Sequence, residues 1–425
     1  MDMLYLLAAL GYSPYLCYKM LRHKRYRFGW GQRFGNVSRL DPDKKCIWLH
    51  AVSVGEVNAT RTIIEQLEQE FPDYEIVIST TTDTGFARAN NLYGDRLQVI
   101  FFPFDFWGIM KRAFARLQPS LCVLMELEVW PNLVGIAHRK NIPVVVANGR
   151  ISERSFSRYK IIKPFVEKTF GKLALVLAQT DEYAERFKQI GCRPESVITV
   201  GSLKYDTAQI TDRIDGAEKI TSELNIADEK LWVAGGTGND EEQILLRVYR
   251  KLCDTKKDNS LRLVIVPRKP ERFNEVAECI RNFGFPCIRY SEVKDTDNCP
   301  KSDSQTVILG DTMGDLRKFY SLASIIFVGR TLVPMGGSDM AEAAALGKCT
   351  IFGPHAFNFK QTVDALLAGN GAVLVDNQQQ LQKVVEKCLT EPDFTAKIAK
   401  NGQNVIRQNQ GATQKTIEQL EKLLH

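Results

Sequence analysis

The chain has 425 residues, 44% hydrophobic and 25% charged, with a formal net charge of +6. Its length implies two domains, and the lack of low-complexity tracts or solenoid-period repeats excludes a disordered or repeat protein. The mild charge suits an anionic ligand or membrane surface and is too weak to indicate nucleic acid, while the ten scattered cysteines read as reduced core residues and the five histidines, none at ligand spacing, argue against a metal site.

The chain opens with an apolar run, MLYLLAALGYSPYLCY, followed by the basic KMLRHKRYRFGWGQRFG. No cation precedes the run and no small-residue cleavage site follows it, so a signal peptide is the weaker reading. Residues 1–28 are expected to form a membrane anchor or interfacial helix, the basic flank keeping the main body on the cytoplasmic side. A buried helix is the alternative.

From Cys46 onward, short apolar runs alternate with amphipathic stretches. CIWLHAV, YEIVIST, LQVIFF, SLCVLME, PVVVANG, LALVLAQ and SVITVG read as strands; NATRTIIEQLEQEF, GIMKRAFARLQ and EYAERFKQIG read as helices. Such alternation predicts a parallel sheet covered on both faces. Residues 29–209 form the first such domain, and the polar stretch 210–230 is a linker carrying a helix. The pattern restarts with LWVAGG, LRLVIVP, PCIRYS, TVILGD, SIIFVG, CTIFGP and AVLV, giving a second doubly wound domain over 231–425. The last helical stretch, ATQKTIEQLEKLL, is counted with it, although its packing partner is open. Ligands of such sheets lie beyond the carboxyl ends of the strands, which predicts a site in a cleft between the domains.

In the first half, HAVSVGEVN sets Glu56 on a glycine turn after a strand, with Ser53 and Gly55 beside it. Spacing alone leaves two readings, a first-turn glutamate stabilising its helix or a general base. In MELEVWPN, Glu126 and Glu128 flank Leu127 and would share one face of an extended chain. NGRISERSFSRYKIIKPFVEKTF, with Arg150 and Arg154, interleaves cations with apolar residues; it is either a solvated basic helix or a surface for an anionic amphiphile. In the second half, strands end in polar glycine or proline turns: WVAGGTGNDEE, VIVPRKPERF with Arg268, LGDTMGDL, and VGRTLVPMGGSDMAEAAALG. Gly336 and Gly337 permit close backbone approach, Ser338 or Asp339 caps the following helix, and Glu342 lies in its first turn. Together these turns indicate a nucleotide site. No G-x-G-x-x-G opens either half, which disfavours a dinucleotide oxidoreductase.

AVSVGE, MELEVWPN, NGRISERS, GSLKYD, VPRKPERF, GDTMGDL, FVGRTLVP and FGPHAFNF stand in the order of their counterparts in bacterial Kdo transferases. The chain resembles that family from about Gly29 to Val375. The family moves 3-deoxy-D-manno-octulosonic acid (Kdo) from CMP-Kdo to an anionic lipid A precursor (lipid IVA) in lipopolysaccharide core assembly, at the cytoplasmic face of the inner membrane. The resemblance implies a GT-B fold of two Rossmann-like domains, inversion, and no metal or other cofactor. It makes Glu56 the catalytic base. Arg268 and the helix start after Gly336, Gly337 and Ser338 would face the leaving phosphate, Met313 and Gly314 the cytosine, and Glu342 the ribose. Lys204, in GSLKYD, matches a donor-side position. Ser53, Gly55, Glu126, Glu128, Arg150 and Arg154 would belong to the acceptor side. The chain departs from the family where Ser338-Asp339 replaces His-Asn, where Gly236 and Gly238 stand in a loop that usually holds Ser and His, and at Leu127, usually Thr. A different nucleotide-sugar donor and a non-catalytic membrane-associated relative are the alternatives.

Overall fold

The computed structural model describes residues 2, 28–255, 260–296 and 305–424. The predicted N-terminal helix falls outside them, apart from Asp2 and Phe28. Among the described residues no helix is long and apolar enough to cross a membrane. Two units divide the chain, Met1–Thr207 with Gln410–His425, and Ala208–Asn409.

The first unit holds β1 (Lys45–His50), β2 (Tyr74–Thr80), β3 (Gln98–Phe101), β4 (Pro119–Met125), β5 (Val144–Gly149), β6 (Leu175–Ala178) and β7 (Val197–Thr199). All pair in parallel, in the order β3-β2-β1-β4-β5-β6-β7. The strands alternate sides. Ile47, Leu49, Val123 and Val145 enter one core, and Trp48, Cys122, Leu124 and Val146 the other. Because both faces are covered, β5 reads as an unbroken buried run. Sequence order reverses between β1 and β4, and at that switch the carboxyl ends of neighbouring strands diverge to leave a crevice.

The second unit repeats the plan with β8 (Lys230–Thr237), β9 (Leu261–Pro267), β10 (Cys287–Arg289), β11 (Val307–Leu309), β12 (Ile325–Val328), β13 (Cys349–Phe352) and β14 (Val373–Leu374). Its order is β10-β11-β9-β8-β12-β13-β14, which puts the switch between β8 and β12. All fourteen predicted strands are present, and the linker carries its helix at Ala217–Glu223.

The last helix corrects the expected domain assignment. Ala412–Leu424 packs on the first unit, not the second: Ile417, Leu420 and Leu424 join the core around β1 and β4. Asp206 receives the N–H groups of Gly411 (2.7 Å) and Thr413, and Thr62 and Thr413 meet through their hydroxyls at 2.7 Å.

Candidate active site

In the first unit the two loops after β1 and β4, at the switch, bring three carboxylates together. After β1 the chain turns at Ser53, which caps the helix Val54–Ala59. Glu56 stands in that first turn, half-buried. One carboxylate oxygen accepts from the Val52 N–H at 2.9 Å and the other from the Ser53 hydroxyl at 2.8 Å. The helix-stabilising role is therefore real, yet each oxygen keeps a lone pair for a further donor. Burial, with repulsion from Glu126, pushes the Glu56 carboxyl above its usual range despite those hydrogen bonds.

Glu126 and Glu128 do not share a face by strand alternation. β4 ends at Met125, and Glu126 takes φ +53, a left-handed conformation that breaks the extended run. The Glu126 N–H donates to Ala147 O at 2.9 Å and the Glu128 N–H to Met125 O at 3.2 Å, closing a turn. That turn still gathers the acids. Burial first, then the charges of Glu56 and Glu126, push the Glu128 carboxyl up to about 7, while the Trp130 indole N–H, 3.1 Å away, opposes the shift. Leu127, Val129, Trp130, Tyr159, Phe165 and Val166 line a groove of about 360 Å³ that also reaches Glu128.

Arg150 follows β5, half-buried, and Arg154 is exposed on the helix Glu153–Ile161, which buries none of its residues. Lys204 lies on the short helix Leu203–Asp206, anchored where the Leu203 N–H meets the side chain of buried Asn148 at 3.2 Å. Gly55 is exposed at the turn. His50, despite its place in the motif, is a core residue. Its ring stacks on Phe102 at 3.8 Å, Nδ1 lies 3.0 Å from Ser79 O, and burial holds its pKa down at about 3.

In the second unit, the segments after β9, β11 and β12 carry the predicted donor residues other than Lys204. Arg268 is exposed after β9, its N–H bonded to Thr237 O at 3.1 Å. Met313, 72% exposed, and Gly314 sit on the turn after β11. That turn is anchored by Asp315: burial would raise its carboxyl, but Lys294 at 2.8 Å and Lys318 at 2.9 Å outweigh this and hold it at about 2. Gly336 and Gly337 take φ +89 and +87, conformations open to glycine. Asp339 rather than Ser338 caps the helix Met340–Ala345, accepting from the Ala341 N–H at 2.9 Å, while the Ser338 hydroxyl donates to Gly236 O at 3.0 Å.

The N–H groups of Gly337 and Ser338, just before the cap, are bonded to Arg330 O (2.8 Å) and Gly329 O (3.1 Å), so these two amides are not offered to a phosphate. Glu342 is half-buried and makes no hydrogen bond or ion pair among the described residues. Burial, then the charge of Asp339, push its carboxyl up to about 7 against Arg317 and Arg268.

Sequence reasoning missed the acid pair behind these turns. Glu241, fully buried, accepts the N–H groups of Gly238, Arg330, Thr331 and Leu332 at 2.5–3.2 Å and so ties the β8 turn to the β12 turn. Glu242 binds Arg272 through both oxygens (2.7 and 3.1 Å) and accepts from the Thr237 hydroxyl at 2.7 Å. The signal was the acidic doublet at the end of WVAGGTGNDEE, just after the glycine turn.

A family model described as 3-deoxy-D-manno-octulosonic-acid transferase (kdotransferase) matches residues 28–207. A 3-deoxy-D-manno-octulosonic acid transferase of Haemophilus influenzae is 34% identical over 95% of this chain and 93% of its own length. One from Bordetella pertussis is 30% identical over 99% of both. The solved structure of a UDP-GlcNAc 2-epimerase from Neisseria meningitidis covers 89% of this chain and all (100%) of its own at TM-score 0.58 and 14% identity, a likeness of fold alone. The fold is GT-B in class, with two Rossmann-like units.

Proposed function

The chain belongs to the Kdo transferase family of glycosyltransferases, and from that premise we propose an inverting transfer of Kdo from CMP-Kdo to an anionic lipid A precursor, with Glu56 as the base. It transfers Kdo in lipopolysaccharide assembly. The observation that carries the catalytic reading is Glu56 at the β1–β4 switch, held by Val52 and Ser53 with its carboxyl raised by burial and by Glu126. A carboxylate so raised is a stronger base than one in water.

An acceptor hydroxyl gives its proton to Glu56 as its oxygen attacks the ketosidic carbon. The bond from that carbon to the phosphate oxygen breaks through a transition state of oxocarbenium character, and CMP leaves with the electron pair. A single displacement inverts the carbon and needs no covalent intermediate. Arg268 is assigned to the growing phosphate charge, Glu342 to the ribose hydroxyls and Met313-Gly314 to the base, with no metal ion in the reaction. Glu342 suits its role because its carboxylate has no partner among the described residues. The groove beside Glu128 and the basic helices that follow are assigned to the lipid, and the body of the protein to the cytoplasmic face of the inner membrane.

The test is an incubation of the full chain with CMP-Kdo and tetraacyl lipid A precursor in EDTA, read by mass spectrometry. The wild type should form a Kdo-lipid product. Glu56→Gln should lose roughly 1,000-fold in rate while still binding CMP, the middle of what a positioned base contributes. Near-normal turnover by that variant removes Glu56 from the mechanism. Stabilisation by UDP but not CMP would favour a different donor.

A further inference from the structure

We propose that Arg330 binds the donor, its guanidinium holding an anionic oxygen of the activated sugar acid, either on the phosphate or on the sugar carboxylate; this deepens the reading above and rests on it. Arg330 directly follows Gly329 at the end of β12, and β12 pairs with β8 through Val328 and Gly235. It therefore stands at the second unit's switch, where ligands of such sheets bind.

Its surroundings are built to present the side chain. Arg330 takes φ +62, a conformation a long side chain adopts at a cost. Buried Glu241 holds its N–H, and its C=O receives the Gly337 N–H at 2.8 Å. A Cβ at Gly238 would lie 2.5 Å from the Met335 sulfur and 3.0 Å from Arg330 Cγ, so this glycine makes room for both side chains.

Arg330 is half-buried as a residue, and its guanidinium donates through Nη2 to Met335 O at 2.8 Å. Among the described residues that is its one hydrogen bond, and no carboxylate lies within ion-pair distance. A guanidinium has five N–H donors, so most of its capacity is uncommitted. Meanwhile five of the turn's own amides are occupied: those of residues 330, 331 and 332 by Glu241, and those of 337 and 338 by Arg330 O and Gly329 O. Those five cannot serve an anion at this switch, and Arg330 is the cation on this turn with no ion pair among the described residues.

Calorimetric titration of CMP into the full chain, beside CMP-Kdo kinetics, tests this with Arg330→Gly and Arg330→Lys. Glycine is relaxed at φ +62, so Arg330→Gly should keep or raise the thermal midpoint. A phosphate contact predicts a Kd for CMP weaker by about 10- to 100-fold, the loss of one charge-assisted hydrogen bond, with partial rescue by lysine. A carboxylate contact predicts unchanged CMP affinity and a similar rise in the KM for CMP-Kdo. If both quantities stay within twofold of wild type, the role of Arg330 is overturned and the transferase reading stands. A wild type that binds neither CMP nor CMP-Kdo overturns both.

Discussion

Glu56 and Glu128 differ in what their neighbours supply. Glu56 gains two hydrogen bonds from Val52 and Ser53 that oppose the upward push of burial, whereas Glu128 has the Trp130 indole N–H against burial and two nearby charges. The pH dependence of stability follows from the second. The Glu128 carboxyl rises from 4.5 to about 7 on folding, so the folded state binds its proton more tightly than the unfolded chain does. Stability from that proton is fully present below the unfolded value and is lost as pH rises through the folded one. Glu128→Gln should therefore raise the thermal midpoint by a few degrees (roughly 2–4) at pH 8, with the gain gone at pH 5. Equal shifts at both pH values would show that charge is not the cause.

Turns, more than strands or helices, separate expectation from structure. The strands were legible because a sheet buried on both faces demands continuous apolar runs bounded by glycine and proline, as in YEIVIST and LRLVIVP, which match β2 and β9 end to end. What happens just beyond a strand was less legible. Glu126 bends out of β4 into a left-handed turn, and the amides after Gly336 close on the turn itself. The first uses a carbonyl 21 residues on, Ala147 O for Glu126, and the second uses carbonyls across its own loop, Arg330 O and Gly329 O for Gly337 and Ser338. The final helix teaches the same lesson. Its amphipathic stripe was visible, but stripes do not name their partners. Leu420 is fully buried in the first unit's core, so Leu420→Ala should destabilise the protein by about 2–5 kcal/mol, measured by urea unfolding. A loss below about 0.5 kcal/mol would be that of a surface substitution and would contradict this packing.

At the scale of the molecule, the first unit's surface joins charge to grease. Ile161 (81% exposed) and Phe165 (72% exposed) stand among Arg154, Arg158, Lys160, Lys163 and Lys168. An interfacial helix has this composition, with apolar side chains entering the headgroup region and cations meeting anionic lipid. Replacing Ile161 and Phe165 by serine should cut binding to anionic phospholipid vesicles about tenfold, read by co-sedimentation, and leave CMP affinity unchanged. Undiminished vesicle binding would overturn a membrane role for this face.

By itself the sequence determined the two doubly wound units, their fourteen strands, the polar turns at strand ends and the family, since these rest on local composition and on motifs in fixed order. Only the tertiary structure decided which unit carries the last helix, how Glu126 and Glu128 come to Glu56, and that Glu241 occupies the amides around Arg330. The physical reason is common to all three: each depends on hydrogen bonds, charges or apolar contacts between residues far apart in the chain, whose meeting no local pattern encodes.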